Sequence, residues 1–153
     1  MKTLILFALL LLVVSSCSVS PQPIQYGHDN CVQCAMTIMD HRYGTEVVTS
    51  TGKVYKFDSV ECLVEFLEER EDGKEQFSLV LVTPFNQPQT LVDARKSHYL
   101  RSKDLPSPMG MYLTAFKEES TAMSFREEFG GRVYCWEKLN ENFDVFRLKG
   151  IEN

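Results

Sequence analysis

Two cysteines and a methionine stand close together in the segment CVQCAM, at Cys31, Cys34 and Met36. Two thiols with this C-x-x-C spacing can chelate one metal ion or close one disulfide. Thiolates combined with a thioether form a soft donor set, and Cu(I) is the ion that such a set suits best. The spacing therefore predicts a Cu(I) site in this segment.

Other uses of the same pair stay open on the sequence alone. Zn²⁺ prefers four cysteine or histidine ligands, and His28 and His41, which flank the motif, could complete such a site. A thiol–disulfide oxidoreductase usually has its C-x-x-C after a strand and at the start of a helix, whereas the preceding residues here, YGHDN, show no strand pattern. A structural disulfide between Cys31 and Cys34 would close a very small loop and add little stability.

Two further cysteines lie in apolar surroundings. Cys62 falls in a helical pattern near its apolar face, and Cys135 falls between Tyr134 and Trp136 in a strand pattern. Each is interpreted as a small buried hydrophobic residue. A disulfide between the two is the alternative, and the sequence leaves it open.

A second group of soft side chains lies in the polar segment PSPMGM, where Met109 stands between Pro108 and Gly110. A methionine that only fills a core is less expected in a loop of this kind. If the two halves of the chain repeat one pattern, Met109 occupies a place similar to that of the C-x-x-C segment. Met109 is therefore a further candidate ligand for the same ion.

The amino terminus has the pattern of a bacterial lipoprotein signal over residues 1–16. Its apolar run, residues 4–14, is too short to span a hydrocarbon core of about 30 Å. The run ends in VSSC, which resembles a lipobox, so we expect acylation of Cys17. Residues 17–28 would be the lipidated cysteine and a flexible tether, and Ser18 favours the periplasmic face of the outer membrane.

Composition and charge exclude several classes of protein. The formal net charge is −5 and the sequence has no block of lysines or arginines, which argues against a nucleic-acid partner. A Gly-rich phosphate-binding loop is missing, so a nucleotide-driven enzyme is not indicated. The sequence shows no general base, positioned nucleophile or paired carboxylates, so we expect a binding protein and not an enzyme.

The folded region, residues 29–153, is predicted to be α+β and to contain the pattern β-β-α-β twice. The first unit spans residues 29–83 and opens with a hairpin. Its helix is predicted to start at Asp58, with Glu61 three residues later completing a capping box. The predicted strands of this unit are residues 45–49, 53–57 and 77–82.

The second unit spans residues 89–137 and has a long polar connection after its first strand. Its helix has Ser120 as the cap candidate, carries an apolar stripe and ends at Gly130 and Gly131. The tail, residues 138–153, is interpreted as a frayed helix. The predicted strands of this unit are residues 90–92, 111–116 and 132–136.

The order of these features closely resembles the NosL family, the accessory lipoproteins of nitrous oxide reductase. The resemblance covers roughly residues 30–136, most of the mature chain. It rests on the lipobox Cys17, Cys31-x-x-Cys34-x-Met36, Phe57-Asp58 before a helix with Cys62, Val92-Asp93-Ala94, Tyr99, Pro108-Met109-Gly110, Ala115-Phe116 and Gly130-Gly131.

The resemblance implies two linked β-β-α-β units and a periplasmic Cu(I)-binding chaperone. Such a chaperone supplies copper for the copper–sulfur centre of nitrous oxide reductase, and its expected partners are that reductase and its membrane-bound maturation complex. The implied ligands are Cys31, Cys34, Met36 and Met109. Asp58 matches a family position and is expected to support the site, and His28, beside the motif, is a second supporting candidate.

The chain departs from the family at one position of the motif. The family usually has glycine between the second cysteine and the methionine, where this chain has Ala35. If that glycine has a positive φ angle, alanine in the same conformation would be mildly strained. We therefore expect a slightly different loop conformation at Ala35.

Overall fold

The computed structural model describes residues 19–70 and 76–149. The predicted signal segment and the predicted lipidation at Cys17 lie outside these residues. Within the described ranges, no helix is both long enough and apolar enough to cross a lipid bilayer. The described residues form two small antiparallel sheets and three α-helices, which confirms the predicted α+β class.

The first sheet is built mainly by the first half of the chain. Its strands are β1 (Thr45–Thr49), β2 (Val54–Phe57), β3 (Phe77–Val82) and β4 (Val92–Asp93). They lie in the order β2-β1-β3-β4, and each neighbouring pair is antiparallel. β1 is central and buried along its whole length. The predicted hairpin of β1 and β2 is confirmed, with Gly52 N donating to Thr49 O at 3.0 Å in its turn.

Helix α1 (Val60–Glu68) follows β2 and packs its apolar residues into the core against both sheets. Its N-cap is Ser59, whose Oγ accepts a hydrogen bond from Cys62 N at 3.4 Å. The predicted capping box of Asp58 and Glu61 is therefore wrong. Ser59 has the extended backbone that an N-cap needs, while both carboxylates are buried in tertiary contacts.

The second sheet belongs to the second half of the chain. Its strands are β5 (His98–Arg101), β6 (Leu113–Phe116) and β7 (Arg132–Cys135). They lie in the order β6-β5-β7, again antiparallel. A short 3-10 helix (Ala94–Lys96) links β4 to β5.

Helix α2 (Glu119–Phe129) covers one face of the second sheet and ends, as predicted, at Gly130 with a φ of 67°. Its N-cap is Glu118, which makes no side-chain cap bond, and Ser120 lies inside the helix. The predicted cap at Ser120 is therefore wrong. The predicted apolar stripe packs on β5 and β6 and consists of Ala122, Phe125 and Phe129.

The first strand of the second unit is β5, not the strand predicted at residues 90–92. Val92 and Asp93 instead pair with β3 and complete the first sheet. β5 is hidden in the sequence because both of its faces are covered. Tyr99 packs in the core shared by the two sheets and Leu100 packs under α2, so its two apolar residues are adjacent and show no alternation.

The carboxy-terminal tail is a packed helix, α3 (Trp136–Lys149), and not the frayed helix that the sequence suggests. Three of its side chains recur at helical spacing and are buried in the core that the two sheets share. These side chains are Leu139, Phe143 and Phe146.

Both units have the same topology, which confirms two linked β-β-α-β units. In each unit the first strand is central, the second and third flank it, and a helix separates the second from the third. The main hydrophobic core contains residues of both sheets together with α1 and α3. The first unit is therefore packed directly on the second.

Part of the predicted tether, residues 17–28, is attached to the domain. Gln22 N donates to Glu46 Oε1 at 2.9 Å, and Lys56 Nζ donates to Pro23 O at 2.8 Å. Ile24 and Tyr26 pack against the core. From residue 22 onward this segment thus lies on the first unit, because its amides and apolar side chains find partners there.

Candidate metal centre

The C-x-x-C segment forms the tip of a tight loop, residues 30–37, here called the thiol loop. Asn30 and Thr37 close it as an antiparallel bridge, and Thr37 Oγ1 donates to Asn30 Oδ1 at 3.1 Å. Inside the loop, Cys31 N donates to Met36 O at 2.8 Å and Ala35 N donates to Cys31 O at 2.9 Å. These bonds fold the segment so that both thiols lie on one side of it.

Ala35 has a φ of 63°, in the left-handed region that favours glycine. Alanine thus adopts the left-handed conformation inside the loop that the hydrogen bond from Cys31 N to Met36 O closes. The expected difference in loop conformation from the family stays a prediction. The side chain is exposed, so no packing is disturbed.

The thiol loop is held against β2 and α1. Val32 N donates to Lys56 O at 3.0 Å, and Lys56 Nζ forms an ion pair with Asp29 at 2.7 Å. Gln33 Nε2 donates to Glu69 Oε1 at 2.9 Å, at the far end of α1. The loop is thus fixed on the point where the chain passes from β2 into α1.

Four side chains meet at this point and form what we call the thiol cluster. It consists of Cys31 and Cys34 from the thiol loop, Asp58 after β2 and Cys62 in the first turn of α1, and their ligand atoms all lie within 4.8 Å of one another. Donors around a tetrahedral ion with metal–sulfur bonds of about 2.3 Å are about 3.8 Å apart. One metal ion can therefore contact all four after small adjustments.

The thiol cluster is graded in exposure. Cys31, Asp58 and Cys62 are buried, at 2%, 4% and 0% exposure, whereas Cys34 is partly exposed. Among the described residues, Asp58 Oδ1 has no hydrogen-bond partner although it is buried. A buried carboxylate oxygen without a partner is costly, and a cation in the cluster would satisfy it.

The pKa values of the three thiols are shifted in different directions. Hydrogen bonds from Cys62 and from the amides of Cys34 and Asp58 lower the pKa of Cys31, against the opposing effect of burial. The pKa of Cys62 is raised because its proton is held in the bond to Cys31, and burial and Asp58 add to this. Burial also raises the pKa of Cys34. The cluster therefore holds one readily formed thiolate, and binding a cation would displace the remaining protons.

Comparison with known proteins identifies the family. The family model named NosL matches residues 23–143, which is most of the chain. This chain belongs to the NosL family. The crystal structure of the copper chaperone NosL from Shewanella denitrificans is similar, with a TM-score of 0.65 and 25% sequence identity over 79% of this chain and 96% of that chain. A search of curated proteins returned no match.

Membership in the NosL family confirms the resemblance seen in the sequence. The solved NosL is a copper chaperone and not an enzyme, which agrees with the prediction of a non-enzymatic protein. The thiol cluster offers four donor atoms that could hold one metal ion.

One predicted methionine ligand of this NosL protein, Met36, lines a cleft that reaches Asp58 of the thiol cluster, and the segment that precedes the other, Met109, lines the same cleft. Met36 is 51% exposed and lines a cleft of about 440 Å³ together with Asp58, Met39 and Pro108. We call this the methionine cleft. Met109 directly follows Pro108 and is 36% exposed. The structure thus brings the segment that carries Met109, from the second unit, to the edge of the metal centre in the first.

The histidines stand apart from the thiol cluster. His28 is exposed, and His41 stacks on Tyr26 with ring centroids 4.3 Å apart and contacts Gln89. Within the part of the chain that the structure describes, the cluster contains no histidine. The supporting role predicted for His28 and the alternative of a zinc site completed by His28 or His41 therefore find no support in the geometry.

Cys62 is the ligand candidate that the sequence analysis missed. Its burial is as predicted, but its thiol lies in the thiol cluster, and no disulfide joins it to Cys135. Cys135 is exposed at the end of β7, so its interpretation as a buried residue is wrong. The signal for Cys62 was its place three residues after the N-cap Ser59, in the first turn of a helix that follows a strand directly.

Proposed function

We propose that this NosL protein is a copper chaperone that binds one Cu(I) ion in the thiol cluster and passes it to a client protein. The observation that carries the proposal is the convergence, within 4.8 Å at a partly open position, of three thiols and the Asp58 carboxylate, whose Oδ1 has no hydrogen-bond partner. The description of the solved relative as a copper chaperone supports the same function.

The donor types favour copper over other ions. Three thiolates form a soft set, and Met36 adds a thioether in the methionine cleft that reaches Asp58. Zn²⁺ is the main competitor, because three cysteines and a carboxylate also match its preference for four ligands. A titration with both ions therefore belongs to the test of the proposal.

The different exposure of the three cysteines suits both the binding and the release of the ion. Cys31 and Cys62 hold the ion from the buried side, while the partly exposed Cys34 faces the solvent. An incoming thiolate, thioether or imidazole of the client can add to the ion from that side as Cys34 leaves it. The ion then passes on without ever being free in solution, and no change of oxidation state is needed.

The proposed client is nitrous oxide reductase, together with its membrane-bound maturation complex. The support is the family resemblance of the chain and the lipobox pattern, which would attach Cys17 by acyl chains to the periplasmic face of the outer membrane. The test is transfer of Cu(I) from the loaded protein to copper-free reductase, with recovery of its copper–sulfur absorption. Labelled palmitate that enters the wild type but not Cys17→Ser tests the anchor.

The copper site is tested by titrating the purified, reduced protein with Cu(I) against a chromogenic chelator. We expect one ion per chain, with binding strongly weakened in Cys34→Ser and in Cys62→Ser. Cys135→Ser is the matched control, because it removes an exposed thiol outside the thiol cluster. Equal affinities in the wild type and Cys34→Ser, or equal losses in Cys135→Ser and Cys34→Ser, would contradict the assignment.

A thiol–disulfide function is the second candidate, and the lowered pKa of Cys31 favours it. It predicts rapid exchange between a Cys31–Cys34 disulfide and a dithiol protein, with no dependence on metal. The oxidised protein should then lose copper binding but keep its exchange activity. If the reduced protein binds no Cu(I) yet exchanges disulfides with dithiol proteins, this second function replaces the first.

A further inference from the structure

A buried carboxylate beside the thiol cluster takes no part in the metal binding described above. Glu61 is 1% exposed and directly precedes Cys62 in the first turn of α1. Its Oε1 accepts hydrogen bonds from Ser107 Oγ and from Leu113 N, the latter at 3.4 Å. These two donors stand at the two ends of residues 107–113, here called the Met109 loop.

The Met109 loop is closed around Ser107. Ser107 Oγ accepts a hydrogen bond from Tyr112 N at 2.8 Å, and Gly110 N donates to Ser107 O at 3.0 Å. The second of these bonds forms a turn that has Met109 at its third position. Tyr43 supports the preceding residue, because its hydroxyl donates to Pro106 O at 3.1 Å. One carboxylate oxygen of α1 thus holds both ends of a loop from the other unit.

Ser107 and Pro108 of this loop line the methionine cleft, which also reaches Met36 and Asp58. We propose that Glu61 is a positioning residue that holds the Met109 loop beside this cleft, so that Met109 contacts the bound ion. This inference rests on the proposed copper site. One helical turn carries both Cys62 and Glu61, so the thiol ligand and the attachment of the loop are fixed relative to each other. The second unit thereby contributes to metal binding through a loop that α1 holds in place.

The test removes the hydrogen bond between Ser107 and Glu61 by changing Ser107, the smaller of the two side chains. Ser107→Ala removes the hydroxyl that donates to Glu61. Ser107→Thr keeps a hydroxyl at that place, and Glu61→Gln keeps a carbonyl oxygen that can accept the bond. Cu(I) affinity is measured by chelator competition for each variant, with Met109 present and with Met109→Ala. We expect Ser107→Ala to weaken binding about 10- to 100-fold when Met109 is present, and to add no loss in Met109→Ala.

Several results would overturn the proposal. An equal loss in both backgrounds would show that Ser107 and Glu61 only support the fold, and no loss in either would show that the contact does not matter. Glu61→Asp, which shortens the side chain by one methylene, is a second break of the same contact and must give the same pattern. Thermal unfolding of the copper-free variants shows that the folded proteins are being compared.

The outcomes also separate this inference from the proposed function. If Met109→Ala binds Cu(I) as tightly as the wild type while Cys34→Ser does not, the positioning role falls and the copper chaperone stands. If the intact protein binds no Cu(I), both fall. Rescue by Ser107→Thr together with non-additivity with Met109→Ala would establish the positioning role.

Discussion

Replacing Ala35 by glycine should stabilise the protein, although it shortens a side chain. Ala35 has a φ of 63°, and its side chain is exposed, so the substitution removes backbone strain without opening a cavity. The left-handed conformation costs an L-residue about 1–2 kcal/mol. Glycine avoids this cost, but it loses more conformational entropy on folding than alanine does, which offsets about 0.5–1 kcal/mol of the gain.

The net gain expected for Ala35→Gly is therefore about 0.5–1 kcal/mol in the free energy of unfolding. This corresponds to a rise of about 2–4 °C in melting temperature for a domain of this size. The assay is urea and thermal unfolding of the copper-free, reduced protein. Cu(I) affinity should not change, because the strain is the same in the free and bound states if the thiol loop does not rearrange.

Ala122→Gly is the matched control for this prediction. Ala122 is buried in α2, where glycine costs about 1 kcal/mol in helix propensity and the lost methyl adds to the cost. The same chemical change should thus have opposite signs at the two positions. If Ala35→Gly lowers the free energy of unfolding as Ala122→Gly does, then Ala35 does not have the left-handed conformation in the folded protein. A changed Cu(I) affinity in Ala35→Gly would instead show that the loop moves on binding.

Four further changes test other parts of the structure. Ser59→Ala removes the cap of α1 and should cost about 1 kcal/mol in urea unfolding; no cost would mean that another group caps the helix. Gly131→Ala should fail to yield folded protein by circular dichroism, because its Cβ would overlap the Arg101 carbonyl oxygen. Under oxidising conditions the wild type should form disulfide-linked dimers on non-reducing gels and Cys135→Ser should not, since this thiol is exposed; dimers that persist in the variant would point to another cysteine. Burial raises the pKa of Glu61 above its ordinary value of 4.5, so the folded protein keeps a proton that the unfolded chain releases as the pH rises. The free energy of unfolding should therefore fall as the pH rises above this value, and Glu61→Gln should flatten the fall in unfolding titrations; equal slopes would contradict it.

Local patterns in the sequence were enough to predict most of the secondary structure of the first unit. The hairpin of β1 and β2 and the buried strand β3 follow from alternation, β-branched residues and a glycine turn. The same reasoning failed at β5 and α3 because their burial depends on packing between segments that are distant in the sequence. Tyr99 and Phe143 are fully buried in the core cluster that contains residues of both units.

The metal centre could be predicted only in part, for a similar reason. Cys31 and Cys34 are recognisable because their spacing in the chain is itself a chelating pattern. Cys62 joins them through the turn from β2 into α1, and cysteine on the apolar face of a helix is indistinguishable from a core residue. Asp58 was found through the family resemblance, whereas its unpartnered oxygen is visible only in three dimensions.

All four donors of the thiol cluster come from the first unit, so the second unit can contribute to the site only through packing and through its loops. A unit of this size would by itself be marginally stable, because it could bury too little apolar surface. α1 packs on β1, β2 and β6, so the helix that carries Cys62 is held by strands of both units. The second unit therefore stiffens the buried side of the site. Its loop around Met109, which carries no cysteine, contributes Ser107 and Pro108 to the methionine cleft beside Asp58. In the proposed copper site, the second unit would thus support the buried thiols through α1 and border the methionine cleft without adding a thiol to the cluster.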